Sequence, residues 1–359
     1  MGKGNRRRIN LALQGGGAHG AFTWGVLDEL LRDETLDVGW ISGTSAGAVN
    51  AAAVASGLAK GGRSEARITL RRVWEAVEAA GIPEFLRFTS FLFGFSRAAP
   101  VSTVANLFSP YEFNPLGFDP LRRLLAEHID FERIRSAAPV ELLIAATDVS
   151  TGRARLFRRA ELTIDAVLAS ACLPTLHHAV VIDGRAYWDG GFSANPDLVT
   201  LASESPVEDT LLVQLTRLQH SNIPRTAAEI AGRVNAITFS QPLLRDIREI
   251  VAAQETPIGW FSGRQTRAAR LKRHRFHLIE ASRYTASLRA GSALKPDKAL
   301  LSYLYEAGKT EARKWLEEHS AKVGRTSTVD LRSHFLESVP PDLSEPSDES
   351  RRQAPAFGS

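Results

Sequence analysis

The feature that most constrains the fold of this chain is a strand, a glycine turn and a helix that occur twice in succession near its start. Residues 9–14 form a short apolar run that ends in glycines, and residues 21–31 carry apolar side chains at helical spacing. A second apolar run at 38–42 is broken by Gly43 and followed by the alanine-rich segment 46–56. Two consecutive units of this kind are typical of an α/β fold built on a parallel sheet.

The pattern of the remaining residues extends this fold along most of the chain. Further strands are predicted at 140–147, 153–157, 210–215 and 275–279, with a hairpin at 180–188 around Asp183-Gly184. Further helices are predicted at 63–79, 120–128, 163–171, 297–318 and 227–253, the last broken or bent at Pro242. We therefore predict a three-layer α/β/α domain with a mainly parallel central sheet over residues 5–322. Residues 323–359 are dominated by Ser, Pro, Asp and Arg, which predicts a disordered tail.

Composition and charge favour a cytoplasmic globular protein. Hydrophobic residues make up 44% of the 359, which is enough to form a core of ordinary size. The net charge is only +4 and the arginines are dispersed, so no nucleic-acid partner is predicted. The single cysteine, Cys172, allows no intramolecular disulfide. We find neither the apolar segment of a secretory signal nor an apolar stretch that could span a membrane, which adds to the cytoplasmic prediction.

A candidate nucleophile lies between the second predicted strand and the helix after it, in Gly43-Thr44-Ser45-Ala46-Gly47. A serine in a G-x-S-x-G turn of this kind stands out from the sheet edge, and Gly43 and Gly47 let neighbouring backbone pass closely. The helix that follows would direct its positive N-terminal dipole at the reaction site. This elbow predicts Ser45 as a nucleophile, and the alternative is a plain tight turn in which Ser45 only caps the helix.

Three glycines, Gly15, Gly16 and Gly17, follow the first predicted strand. Backbone amides in a tight loop before a helix suit an anion, including the oxyanion of a tetrahedral intermediate. Gly15, Gly17 and Gly20 also match the G-x-G-x-x-G pattern of dinucleotide-binding proteins, so a nucleotide site is an alternative. That site needs an acid near the end of the second strand, whereas Asp37 lies at its beginning. An oxyanion hole is therefore the favoured interpretation.

A carboxylate follows a later predicted strand in Trp188-Asp189-Gly190-Gly191. We expect Asp189 to be exposed on a flexible turn. A carboxylate can act as the base for a serine when it is held within hydrogen-bond reach and partly desolvated. The D-G-G sequence alone is a common turn, so the prediction that Asp189 is catalytic depends on its combination with the other two motifs.

Taken together, the motifs resemble those of the patatin-like phospholipase family. G-G-G-A-H-G, G-T-S-A-G and D-G-G occur here in the family's order, and Ala-Ser-Ala-Cys-Leu-Pro at 169–174 is similar to a further family segment. The resemblance covers roughly residues 9–215, and the C-terminal part more loosely. It implies a patatin-like fold and a Ser–Asp dyad without a histidine base. In that dyad Ser45 attacks an ester carbonyl, Asp189 takes the serine proton and the glycine loop holds the oxyanion.

The histidines are both a departure from the family and a source of alternatives. His19 stands where the family often carries Arg or Lys, and we expect it to be neutral near pH 7. His177 and His178, close to D-G-G, are expected at the mouth of the pocket. A Ser–acid–His triad is an alternative that needs a histidine after Asp189. The candidates for it are His220, His274 and His277, each of which also has an ordinary structural interpretation.

Residues 85–113, rich in phenylalanine and poor in acids, are the main indication of the substrate. This segment is predicted either to be buried against the core or to form a lid or interfacial patch that admits acyl chains. We predict an acyl lipid or another hydrophobic ester as substrate, with peripheral contact at a membrane or lipid surface. No cofactor is predicted, and no metal site, because the histidines and acids lack ligand spacing. The alternative function is a catalytically idle lipid- or granule-surface binding protein of the same fold.

Overall fold

Eight strands form one mixed sheet at the centre of the structure, a computed structural model that describes residues 6–80, 109–218, 223–257, 266–286, 288, 292–294 and 296–337. The strands are β1 (Arg7–Leu13), β2 (Leu36–Thr44), β3 (Leu142–Asp148), β4 (Ala154–Arg158), β5 (Val180–Ile182), β6 (Arg185–Asp189), β7 (Asp209–Gln214) and β8 (Arg275–Glu280). Their order is β5-β6-β3-β2-β1-β7-β8, and β4 also pairs with β3. Neighbouring strands in the series β3-β2-β1-β7-β8 pair in parallel. The pairs β3–β4, β3–β6 and β5–β6 are antiparallel. The mainly parallel sheet that the sequence predicts is therefore confirmed.

Successive residues of the central strands face opposite sides of the sheet and build two separate cores. In β1, Leu11 and Leu13 belong to one buried cluster while Ala12 belongs to the other. In β7, Leu211 and Leu212 divide in the same way. A strand that is apolar at every position must be covered on both faces, which explains the short continuous apolar runs in the sequence.

Helices cover both faces of the sheet and complete the three layers. They are α1 (Gly20–Arg32), α2 (Ala46–Ala80), α3 (Pro110–Phe113), α4 (Pro120–His128), α5 (Phe131–Ala137), α6 (Ile164–Ser170), α7 (Val199–Glu204), α8 (Ala227–Glu255), α9 (Arg267–Arg273), α10 (Ser282–Thr285) and α11 (Lys298–His319). The larger core lies between the sheet and α1, α2, α4, α5, α6 and α11. The smaller core lies on the other face, under α7, α8 and α9. The three-layer α/β/α architecture is confirmed.

One long helix differs from its predicted form, and a second follows one of two predicted alternatives. The segments predicted as separate helices at 46–56 and 63–79 are the two arms of α2, which bends where Gly61 and Gly62 leave helical geometry. In α8 the helix runs through Pro242 without a break. Of the two predicted alternatives, a helix that is broken at Pro242 is therefore excluded, and proline inside a helix can be accommodated by a kink without ending it.

The predicted boundary of a disordered tail at 323 is wrong for residues 323–337. Val323, Leu331 and Phe335 are buried. The amides of Thr328 and Val329 donate to the carbonyl of Phe276 at 3.0 and 3.4 Å, so this segment follows the outer edge of β8. The chain therefore uses its few late apolar residues to cover an edge strand and the smaller core. The rest of the predicted tail, 338–359, lies outside the described residues.

Candidate active site

Ser45 is the single residue between β2 and α2, and its backbone is in the left-handed region at φ 54°. A non-glycine residue seldom adopts this conformation, which stores strain and is frequent at functional sites. The neighbouring glycines make the bend possible. A Cβ on Gly43 would lie 2.6 Å from the carbonyl oxygen of Gly47, and one on Gly47 would lie 2.1 Å from that of Leu13. Both predicted elbow glycines thus occupy positions where a side chain does not fit.

Two hydrogen bonds hold the elbow to distant parts of the chain. The amide of Ser45 donates to Oγ of Ser170 at 2.9 Å, and Oγ1 of Thr44 donates to the carbonyl of Ala194 at 2.8 Å. Ser170 is fully buried at the end of α6, in the segment 169–174 that resembles the family. The physical role of that segment is therefore to supply an acceptor for the amide of the strained serine.

The pairing of three strands brings Asp189 to the elbow. Thr44, the last residue of β2, pairs with Ala145 of β3, and the next residue of β3, Ala146, pairs with Asp189 of β6. The carboxylate that ends β6 therefore lies one strand away from the serine that follows β2. Ser45 and Asp189, 144 positions apart in the sequence, meet because β2, which is parallel to β3, and β6, which is antiparallel to it, both end beside Ala145 and Ala146 of β3.

Asp189 is buried, with 1% of its surface exposed, and not on an exposed turn as the sequence suggests. Its Oδ1 accepts a hydrogen bond from the amide of Gly191 at 2.7 Å, and its Oδ2 has no hydrogen-bond partner of regular geometry. Burial raises the pKa of Asp189 from 3.8 to about 7, while the Gly191 amide and the Ser45 hydroxyl act to lower it. A carboxyl group with this pKa, in contact with a serine hydroxyl, can accept its proton near neutral pH.

The glycine loop lies against the elbow, but its three amides are not equivalent. The amide of Gly15 donates to Oδ1 of Asn195 at 2.8 Å. The prediction that this amide binds an oxyanion is therefore wrong. Instead Gly15 provides close packing, since a Cβ there would lie 2.9 Å from Cβ of Ser45. The amides of Gly16 and Gly17 have no acceptor within the described part of the chain, and Gly17 is exposed. These two amides remain the candidates for an oxyanion hole.

Asn195 is a site residue that the sequence reasoning missed. It is completely buried, and besides accepting from Gly15 it donates through Nδ2 to the carbonyl of Phe239 in α8 at 3.0 Å. Phe239 itself covers the D-G-G turn, because a Cβ on Gly191 would lie 2.2 Å from its ring. The available signal was an Asn-Pro pair six residues after Asp189, but the sequence does not reveal what such an asparagine binds.

His19 follows the glycine loop and is neutral, as predicted. Its Nε2 is 2.8 Å from Oγ of Ser292, and burial lowers its pKa to about 4. At pH 7 His19 therefore contributes a hydrogen bond but no positive charge beside the loop.

The two described candidates for a histidine base lie at the wrong end of the sheet. His274 bonds to Oγ1 of Thr210 at 2.7 Å, and His277 lies 3.1 Å from Oδ1 of Asp209. Asp209 and Thr210 begin β7, whereas Ser45 follows the end of β2, and both strands run parallel to β1. Burial lowers the pKa of His274 to about 3, which is typical of a structural histidine. The third candidate, His220, lies outside the described residues.

His177 and His178 line a cavity of about 330 Å³ between α4, α6 and β5, not the space around Ser45. His178 stacks on Tyr111 at 4.1 Å between ring centroids, and its Nε2 is 3.1 Å from the carbonyl of Pro110. Neither Ser45 nor Asp189 lines this cavity. The phenylalanine-rich segment 85–113 lies outside the described residues up to residue 108, so the structure describes only its last five residues.

The alternative of a nucleotide site is not supported by the contacts of its key residues. Asp37 is engaged by Arg6 and Arg63, both at 3.2 Å, at the far end of β2. The end of β2, where a ribose would bind, is occupied by the serine elbow.

Comparison with known proteins agrees with this geometry. A model of the family described as patatin-like phospholipase matches residues 11–202, more than half of the chain. The chain belongs to the patatin-like phospholipase family. The matched region contains the glycine loop, the elbow, Ser170, Asp189 and Asn195. Members of the patatin family are lipid acyl hydrolases.

Solved structures give more distant similarities. VipD from Legionella pneumophila is 14% identical with a TM-score of 0.45, over 87% of this chain and 67% of that chain. ExoU in its heterodimeric complex with SpcU, from the type III secretion system of Pseudomonas aeruginosa, is 15% identical with a TM-score of 0.31, over 87% of this chain and 52% of that chain. The chain thus spans about two thirds of VipD and about half of ExoU. A comparison with curated proteins finds no match. In the described part of the chain, no helix has a stretch that is both long and apolar enough to cross a bilayer.

Proposed function

We propose that the protein hydrolyses carboxylic esters of acyl lipids, with Ser45 as nucleophile and Asp189 as general base. The observation that carries the proposal is the contact between a strained serine at the start of a helix and a buried carboxyl group whose pKa is raised to about 7. A carboxylate of ordinary pKa is a weak base, and a serine without a base is a weak nucleophile. The raised pKa makes Asp189 a stronger base, and its contact with the Ser45 hydroxyl makes Ser45 a stronger nucleophile.

The reaction proceeds in two halves. In the first, Asp189 takes the proton of the Ser45 hydroxyl while Oγ bonds to the ester carbonyl carbon. The tetrahedral intermediate collapses, the alcohol leaves with the proton from Asp189, and the acyl group stays on Ser45. In the second, Asp189 takes a proton from water, the resulting hydroxide attacks the acyl carbon, and Ser45 recovers its proton as the fatty acid is released.

The negative charge of each tetrahedral intermediate falls between the glycine loop and the start of α2. The amides of Gly16 and Gly17 are the proposed donors, and the N-terminus of α2, which begins at Ala46, adds a favourable dipole. His19 supplies no charge here because it is neutral at pH 7. Stabilisation of the oxyanion thus depends on backbone groups, which require the loop to be held rigidly.

The proposed substrates are acyl lipids such as phospholipids or lysophospholipids, which matches the family's activity. The single cysteine is a buried free thiol, consistent with a reducing compartment. We therefore place the reaction in the cytoplasm, with peripheral contact at a lipid surface.

The test compares hydrolysis of a short and a long p-nitrophenyl acyl ester by the wild type, Ser45→Ala and Asp189→Asn. Each variant should lose about 10³-fold or more of kcat while remaining folded. Ser64→Ala and Asp183→Asn, at exposed positions on α2 and on the β5–β6 turn, are matched controls that should keep full activity. A fluorophosphonate should label the wild type at Ser45.

The opposite outcome would favour the other candidate function. If the wild type neither turns over an ester nor reacts with the fluorophosphonate, the proposal fails. The protein would then be better described as a catalytically idle lipid- or granule-surface binding protein of the patatin fold.

A further inference from the structure

The first half of α8 exposes an apolar stripe. Ile230, Val234 and Ile237 have exposed fractions of 47%, 56% and 43%. Their spacing of four and three residues places all three side chains on one face of the helix. Aliphatic side chains exposed singly are common on protein surfaces, but three in one row on a helix are the usual mark of a binding surface.

The same face becomes polar and basic toward the other end of the helix. At 3.6 residues per turn, Gln241, Arg245 and Arg248 continue the row begun by Ile230. Arg248 is exposed. Arg245 is 64% exposed on its side chain, although its guanidinium donates to the carbonyl of Ser193 at 2.8 Å and lies 3.6 Å from Asp246. In the second half of the helix the opposite side is buried in the smaller core through Leu243, Ile247 and Ile250. We give the name outer face of α8 to the row Ile230, Val234, Ile237, Gln241, Arg245 and Arg248.

The acids that flank the outer face are engaged elsewhere. Glu229 accepts hydrogen bonds from the amides of Arg225 and Thr226 at the start of the helix. Glu249 is paired with Arg267 at 2.5 Å. The outer face therefore presents aliphatic side chains followed by arginines, without an acid in the row.

This helix also borders the catalytic turn. On its inner side Phe239 covers Gly191 and packs against Phe192, with ring centroids 4.7 Å apart and the rings tilted by 48°. Its carbonyl accepts the hydrogen bond from Asn195, which in turn holds Gly15. A surface bound to the outer face would thus lie close to the elbow of Ser45.

We propose that the outer face of α8 docks on an anionic lipid surface, with Ile230, Val234 and Ile237 in the acyl boundary and Arg248 against the headgroups. An apolar row beside basic residues is the composition of interfacial helices, and arginines are attracted to anionic leaflets. Three aliphatic side chains cover far less than the roughly 800 Å² per partner of a stable dimer, so a second copy of the chain is a poorer occupant. The inference rests on the proposed function, since the lipid would carry the substrate.

The experiment measures vesicle binding in the Ser45→Ala background, where no lipid is consumed. Co-sedimentation uses vesicles of phosphatidylcholine alone and of phosphatidylcholine with phosphatidylserine. The parent should bind the mixed vesicles more tightly, and the triple variant Ile230→Gln, Val234→Gln, Ile237→Gln should bind both kinds about tenfold more weakly. Arg248→Gln should weaken binding to the mixed vesicles only, and added salt should reduce the difference between the two kinds.

Exposed residues elsewhere on the molecule supply the matched controls. Leu116 is 94% exposed on the connection between α3 and α4 and is not part of the outer face of α8, so Leu116→Gln should bind vesicles like the parent. Arg123→Gln is the control for the loss of one exposed charge. Thermal unfolding of every variant shows that the fold is kept.

Several outcomes would overturn the inference. It fails if the parent does not bind mixed vesicles, or if the triple variant binds them as tightly as Leu116→Gln. It also fails if light scattering shows a dimer that the triple variant converts to a monomer without a change in vesicle binding. Hydrolysis of a dissolved short ester by the wild-type protein, which keeps Ser45, tests the proposed function separately. Failure of vesicle docking and failure of the hydrolase proposal are therefore distinguishable.

Discussion

At the scale of single residues, the burial of Asp189 sets the pH at which the proposed reaction runs. Its pKa is raised to about 7 because the ionised form is desolvated. Only the ionised form can take the proton of Ser45, so kcat/KM should rise with pH, by about tenfold per unit below pH 7, and level off above it. The rate of labelling by a fluorophosphonate, followed from pH 5 to 9, measures this directly. A rate that is flat down to pH 5, in a protein still folded by circular dichroism, would contradict a base with a pKa near 7 at this position.

Asn195 also acts at this scale, as a positioning residue that links the glycine loop to α8. In Asn195→Ala the amide of Gly15 loses its buried acceptor, and the Gly16 and Gly17 amides lose their fixed position. We expect kcat to fall by about 10- to 100-fold with little change in KM, because the loop acts on the transition state.

The conservative variant distinguishes positioning from a general loss of packing. Asn195→Asp keeps an acceptor for Gly15 and should recover part of kcat, although it removes the donor to Phe239. If alanine and aspartate lower the melting temperature and kcat equally, or raise KM instead, Asn195 only supports the fold.

At the scale of elements, the site depends on how closely α2 approaches β1. A Cβ on Gly47 would lie 2.1 Å from the backbone oxygen of Leu13, so Gly47→Ala must push the helix away from the strand. We expect a loss of about 1–3 kcal/mol of unfolding free energy, with a large loss of activity because Ser45 moves with the helix. Gly61→Ala is the control, since the nearest atom to a Cβ there would be Cβ of Glu65 at 3.0 Å, a much looser contact than that at Gly47. Urea unfolding of both variants measures the difference, and equal stabilities would contradict the close approach.

The sequence predicts elements and motifs well where the signal is local. The elbow around Ser45, the glycine loop and the β5–β6 hairpin each depend on neighbouring residues, and each is found where predicted. The features that the sequence does not predict depend on contacts between segments that are distant in the chain. The burial of Asp189 follows from the pairing of β6 with β3, and the occupied amide of Gly15 follows from Asn195. No local pattern encodes either contact.

At the scale of the whole molecule, the fold continues beyond the catalytic region into residues that look like a tail by composition. The segment 323–337 has few apolar side chains, which is why its composition predicts disorder. Those few apolar side chains are nevertheless buried. Leu331 and Phe335 lie in the same buried cluster as Ile247, Ile250 and Phe276. Because the cluster also holds the inner side of α8, the segment stabilises the helix that carries Phe239 against the D-G-G turn.

The C-terminal segment should accordingly contribute to stability as a core element does. Phe335 is 9% exposed, and Phe335→Ala removes its ring from the smaller core. We expect a loss of about 3 kcal/mol in unfolding free energy, measured by urea denaturation. Ser333→Ala, on the exposed side of the same segment, should be neutral. If Phe335→Ala were as stable as Ser333→Ala, residues 323–337 would not contribute to the stability of the fold. If Phe335→Ala both loses stability and is labelled more slowly by the fluorophosphonate, the packing of residues 323–337 affects the site around Ser45 through α8.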